Sequence, residues 1–201
     1  MFNFIIKTLM FIAFIIPAIT YAETAKMAWE GLVGTKFVER PEFKYVQNVS
    51  SLPNVLIYGD SISIHYTQDV RNELKGKANI YRLYRNGAES ATVIGKMNKM
   101  LDLMTNPELD DHWSFNWDVI HFNVGLHDLK YVKGRKLDKV NGTQVSTLEE
   151  YQKNLTEIIH YFKKLAPNAK LVFATTTPVP EGALGRVAGD SVKYNIAALA
   201  V

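Results

Sequence analysis

Apolar and polar positions fall into a regular pattern from Asn54 onward. Val55-Leu56-Ile57-Tyr58 is a nearly continuous apolar run that stops at Gly59-Asp60-Ser61. Such a run predicts a strand buried on both faces, as in parallel sheets. Residues 64–75 read as a helix. Asn79 to Tyr84 alternates like a strand, and Asn86-Gly87 breaks it. Ala88 to Met104 reads as a helix, with Ile94, Met97, Leu101 and Met104 at helical spacing. Trp117 to Val124 is a third strand, ending at Gly125. Thr147-Leu148-Glu149-Glu150 has the form of a capping box. It opens a helix with Tyr151, Leu155, Ile158, Phe162 and Leu165 on one face, stopped by Pro167 and Asn168. Lys170 to Thr175 is a fourth strand, and Ser191 to Val201 begins another helix.

Strands that alternate with helices predict a βαβ-type α/β domain with a parallel sheet and helices on both faces. Ligands in such sheets sit at the carboxyl ends of the strands. That rule selects Gly59-Asp60-Ser61, Asn86-Gly87, Gly125 to Asp128, and Thr175 to Pro178. The flanks are less regular. Glu23 to Pro53 has only scattered apolar points, Trp29, Leu32, Val33, Phe37, Phe43 and Tyr45, and reads as an irregular N-terminal arm lying on the domain. Lys130 to Gln144, rich in Lys and Arg, reads as a solvated loop. Met1 to Ala22 is apolar apart from Lys7 and ends in Thr20-Tyr21-Ala22. It fits a secretory signal peptide cut after Ala22, which predicts a secreted or periplasmic protein without stable membrane insertion after cleavage. The expected organisation is therefore a signal peptide over 1–22, an arm over 23–53 and one domain over 54–201.

Composition narrows the chemistry. The 201 residues carry 23 Lys+Arg against 20 Asp+Glu, a net charge of +3. This is no basic footprint for nucleic acid. The chain has no cysteine, which excludes a disulfide scaffold, a thiolate metal site and a cysteine nucleophile. The histidines show no metal-ligand spacing, and there is neither a P-loop nor a G-x-G-x-x-G fingerprint. No metal or cofactor is expected.

Ser61 follows a buried strand and opens a helix. There a hydroxyl is exposed at the top of the sheet, and a backbone N–H faces a developing anion. On the tripeptide alone, a helix N-cap serine is the commoner reading. Gly87 permits close backbone approach, or is an ordinary Asn-Gly turn. His127 can donate a hydrogen bond, act as a base or bind a metal, and Asp128 can orient a neighbour or cap a segment. These are weak signals singly, but they lie at three successive strand ends.

Together, Ile57-Tyr58-Gly59-Asp60-Ser61, Asn86-Gly87 and Phe122-Asn123-Val124-Gly125-Leu126-His127-Asp128 resemble the SGNH or GDSL-type serine hydrolases. The likeness is to a bacterial branch with a Gly-Leu-His-Asp block. The resemblance implies a flavodoxin-like three-layer α/β/α sandwich and an esterase acting on carbohydrate acyl groups or small esters. It implies Ser61 as nucleophile, the N–H groups of Ser61 and Gly87 as oxyanion donors, and Asp60 and Asp128 in support. His127 stands where the family usually has a donor Asn, so it is expected to donate to the oxyanion rather than to act as the base. The family's late Asp-x-x-His block has no counterpart after Leu165. The sequence therefore reads as C-terminally truncated, and the expected esterase activity of these 201 residues is little or none. The alternatives are a non-catalytic α/β ligand-binding module and, less well supported, a phosphate or nucleotide binder of flavodoxin type.

Overall fold

The computed structural model describes residues 23–201. The leader assigned to residues 1–22 lies outside the described residues. In chain order the elements are α1 (Ala25–Val33), β1 (Asn54–Tyr58), α2 (Ser61–Glu73), β2 (Asn79–Arg82), α3 (Val93–Met104), β3 (Val119–Phe122), β4 (Tyr131–Lys133), β5 (Lys136–Leu137), β6 (Thr143–Gln144), α4 (Leu148–Leu165), β7 (Lys170–Phe173) and α5 (Asp190–Leu199). The main sheet has the order β2-β1-β3-β7. All three of its pairings are parallel, with Ile57 in register with Arg82 and His121, and His121 with Val172. The protein is thus an α/β sandwich with helices on both faces of a parallel sheet.

Alternation along the strands sorts residues between the two layers. Leu56, Tyr58, Ile120 and Phe122 are buried towards the layer that contains α4. There Phe122 packs on Phe162 of α4 and on Phe173 of β7, each pair of ring centroids 5.2 Å apart. The other face presents Val55, Ile57, Val119 and His121, with Val172, beside Tyr66 and Val70 of α2. Each fully buried Leu, Ile or Phe contributes about 1.5–3 kcal/mol. α4 begins as its sequence requires: the Thr147 hydroxyl accepts from the Glu150 N–H, and the Glu150 carboxylate accepts from the Thr147 N–H. Pro167 follows its end, where the helix cannot continue.

Three expectations need correction. The arm is not irregular. It contains α1, capped by Thr24 and ended by Gly34 at φ 78°. Ala25, Ala28, Trp29 and Val33 form its buried stripe. The Trp29 indole donates to Phe43 O at 2.7 Å and its ring packs against Trp113. Trp113 in turn belongs to a cluster with Tyr81, Phe115 and Trp117, which ties the arm to the sheet. Lys130 to Gln144 is not a plain loop but a small antiparallel sheet, β5-β4-β6. The helix expected from Ala88 starts only at Val93, after a single 3-10 turn over Ser90–Thr92.

Candidate functional site

Each strand end of the main sheet delivers one piece of the site. β1 ends at Tyr58, and the chain turns sharply at Gly59, where a Cβ would meet the Ser63 side chain at 2.9 Å. Asp60 is the N-cap of α2: its Oδ1 accepts from the Ile62 N–H at 2.9 Å. Asp60 therefore fills the capping role that could have explained Ser61. Asp60 is 1% exposed. Its Oδ2 has no hydrogen-bond partner among the described residues. Burial holds its carboxyl above the ordinary range, while the backbone bond from Ile62 and the charges of Arg186 and Lys130 pull the other way. Ser61 is half-buried at the first helical position, at the positive end of α2.

Gly87 lies directly against this turn. A Cβ there would stand 2.6 Å from Gly59 O, so only glycine fits. This close approach also spends the amide: the Gly87 N–H donates to Gly59 O at 2.9 Å. The N–H expected to face an oxyanion is thus engaged with Gly59 O in this structure. Its carbonyl is equally engaged, accepting from Tyr58 Oη at 3.0 Å and from Lys96 Nζ at 2.7 Å. Gly87 is a structural clamp between the first and second strand ends.

The third strand end is the most densely bonded. Asn123 donates to Ala174 O and Thr175 O, which holds the ends of β3 and β7 together. Gly125, at φ 137°, leaves room for the Tyr151 hydroxyl, which donates to Val124 O at 2.8 Å. The N–H groups of Asp128 and Leu129 both donate to Gly125 O at 3.0 Å, closing a turn. Asp128 is fully buried and accepts from the Ser90 N–H, from Ser90 Oγ at 2.5 Å and from Ser146 Oγ at 2.8 Å. Burial raises its pKa, and the two serines oppose that rise.

His127 projects from this turn, half-buried. Its Nδ1 lies 2.7 Å from Lys130 Nζ. Desolvation lowers its pKa to about 4, helped by the charges of Lys130, Arg186 and Lys96. Its ring is therefore neutral at physiological pH. Arg186 comes from the loop between β7 and α5 and donates through Nε to Leu126 O at 2.9 Å. The same loop is pinned to the small sheet, where the Tyr131 N–H donates to Gly185 O at 2.7 Å. Its start is fixed by a reciprocal pair, Thr176 N–H to Asn195 Oδ1 at 2.8 Å and Asn195 Nδ2 to Thr176 O at 3.0 Å.

The sequence reading missed Lys130, Arg186, Ser90 and Ser146. Lys130 could have been found, since it lies one turn beyond His127. Arg186 and Ser146 reach the site only through tertiary packing. The remaining histidines lie elsewhere. His65 and His160 are exposed. His121 points to the opposite sheet face, edge-on to Tyr66 at 6.2 Å. No histidine hydrogen-bonds to Ser61 among the described residues. Among those residues, no group of three or more His, Asp or Glu side chains is arranged to hold a metal ion.

The fold has relatives among solved structures. A protein from Parabacteroides merdae described as a GDSL-like lipase matches with a TM-score of 0.53 at 16% identity, over 77% of this chain and 74% of its own. A Streptococcus pneumoniae protein described as a platelet activating factor gives a TM-score of 0.49 at 18% identity, over 77% of this chain and 65% of its own. An acetyl xylan esterase from Butyrivibrio proteoclasticus gives 0.43 at 14% identity, over 77% of this chain and 53% of its own. No protein-family model matches the sequence. No curated protein matches it either.

Proposed function

We propose that the chain carries the nucleophile site of an exported SGNH/GDSL-type ester hydrolase. Its substrates would be acyl esters of carbohydrates or small alcohols. The observation that carries this reading is Ser61 itself. It stands at the first position of α2, directly after a buried strand, with the cap already supplied by Asp60. A serine freed of the cap and set at the positive end of a helix is placed for attack on a carbonyl. Ser61 Oγ would bond to the acyl carbon while its hydroxyl proton passes to water. Collapse of the tetrahedral intermediate would break the ester C–O bond, and the alcohol would depart with a proton. Water would then hydrolyse the acyl-serine. The Ser61 N–H and the neutral His127 ring would hold the oxyanion.

Among the described residues no side chain hydrogen-bonds to the Ser61 hydroxyl, so none of them is placed as its base. Loss of a base leaves only the residual catalysis of oxyanion donors and binding. The chain should therefore release p-nitrophenol from p-nitrophenyl acetate slowly, and it should carry acetyl on Ser61 in a quenched digest. Ser61→Ala should lose both signals. A wild-type rate equal to that of Ser61→Ala, with no acetyl on Ser61, would sink the proposal. The engaged Gly87 N–H favours a second reading, a binding module that keeps the crevice without turnover. Under that reading a fluorophosphonate probe would leave Ser61 unlabelled.

A further inference from the structure

We infer that Lys130 is a positioning residue that fixes His127 as the neutral tautomer with its proton on Nε2. The geometry rests on one contact and one turn. Lys130 Nζ lies 2.7 Å from His127 Nδ1. Two N–H groups converging on Gly125 O close the turn that brings the two side chains together. An ammonium group has three donors and no acceptor. The bond can therefore run only from Nζ–H to an unprotonated Nδ1, and the ring proton is left on Nε2.

The sign of the Nδ1 partner decides what a histidine can do. A carboxylate at Nδ1 stabilises the imidazolium and makes the ring a base. A cation at Nδ1 does the opposite, penalising the imidazolium and leaving a neutral N–H donor. Every element packed around His127 adds to this bias or leaves it intact. Its own turn contributes Lys130, the loop before α5 contributes Arg186, and α3 contributes Lys96, whose Nζ reaches Gly87 O at 2.7 Å. The acidic groups nearby are committed elsewhere or act on Lys130. Asp128 is bonded to Ser90 and Ser146. Asp60 caps α2. Desolvation and the charge of Arg186 lower the Lys130 pKa, while Glu89, Asp60 and Asp128 oppose that fall and favour its charged form. His127 is accordingly held low, at about 4, with desolvation the largest cause.

The catalytic consequence rests on the ester-hydrolase reading, in which His127 Nε2–H is an oxyanion donor, but the tautomer itself does not. The test is long-range ¹H–¹⁵N NMR of the imidazoles in the full chain across pH 4–8, for wild type, Lys130→Gln and Lys130→Met. The wild-type His127 should show the Nε2–H pattern and no titration above about pH 5, in line with its lowered pKa. Lys130→Gln, whose amide still donates to Nδ1, should keep the tautomer while the pKa rises. Lys130→Met should mix the tautomers and raise the pKa further. An Nδ1–H pattern in the wild type would overturn the inference. So would a tautomer and pKa that both variants leave unchanged. Ser61-dependent acetyl release separates the two claims. With His127 as donor, Lys130→Met approaches the roughly 10²–10³-fold loss of a missing oxyanion donor, while Lys130→Gln retains more. A shifted tautomer with unchanged acetyl release keeps the role of Lys130 and removes the oxyanion role of His127.

Discussion

The turns after β1 and β3 each bury an aspartate at a strand end, and the two differ in one respect. Asp128 receives three donors from two distant segments, the 3-10 turn after β2 and the residue before the α4 cap. Asp60 receives one local N–H on one oxygen, and its other oxygen has no partner among the described residues. A buried carboxylate with its lone pairs satisfied is a tie. One left half-satisfied costs stability and is retained where it serves something else. The third-strand turn is therefore a built support. The first-strand turn, which carries Ser61, keeps one buried carboxylate oxygen unsatisfied among the described residues.

The largest expected effect breaks the support. Asp128→Ala leaves the buried Ser90 N–H, Ser90 hydroxyl and Ser146 hydroxyl without their acceptor. Each unsatisfied buried group costs about 1–3 kcal/mol, so a loss of about 3 kcal/mol or more is expected in urea unfolding. A loss under about 1 kcal/mol would mean that water replaces the carboxylate easily and that the turn is not a tie.

An intermediate effect is expected at Asp60, and it depends on pH. Asp60→Ala removes the N-cap of α2 and should cost about 1 kcal/mol, whereas Asp60→Asn keeps a capping oxygen. Burial raises the folded-state pKa of Asp60 above its ordinary 3.8. The folded state then holds the proton to higher pH than the unfolded chain does. The stability this group contributes is complete below that ordinary value and declines as pH rises through the folded value. Asp60→Asn removes that decline. Its stability relative to wild type should therefore improve from pH 4 to pH 7, and parallel urea midpoints at the two pH values would contradict the assignment.

The same contrast explains what the sequence could disclose. The four strands were legible because each is a short apolar run ending in Gly or a turn, and α4 because its capping box is local. The stripe of α1 was also present, as Ala25, Ala28, Trp29, Leu32 and Val33, but two alanines weaken it and scattered aromatics around it read as irregular. β5 and β6 are two residues each and mostly exposed, so no alternation marks them. Ser61, His127 and Asp128 were singled out from their places after strand ends, and the structure puts them after β1 and β3. The engagement of the Gly87 N–H was not legible, because it depends on how closely two turns pack. Arg186 lies 60 residues from the carbonyl it meets, and no local pattern encodes that pairing.

The smallest expected effect on stability is at Ser61, and it sharpens the comparison most. If Asp60 alone caps α2, Ser61→Ala removes a hydroxyl that takes part in no hydrogen bond among the described residues. It also places a better helix former at the first helical position. The unfolding free energy should change by no more than about 0.5 kcal/mol. Acetyl transfer should vanish in the same protein. A loss as large as that of Asp60→Ala would make the serine a second cap. The turn after β1 would then be as structural as the one after β3, and a reactive group would have to be sought elsewhere, at His127.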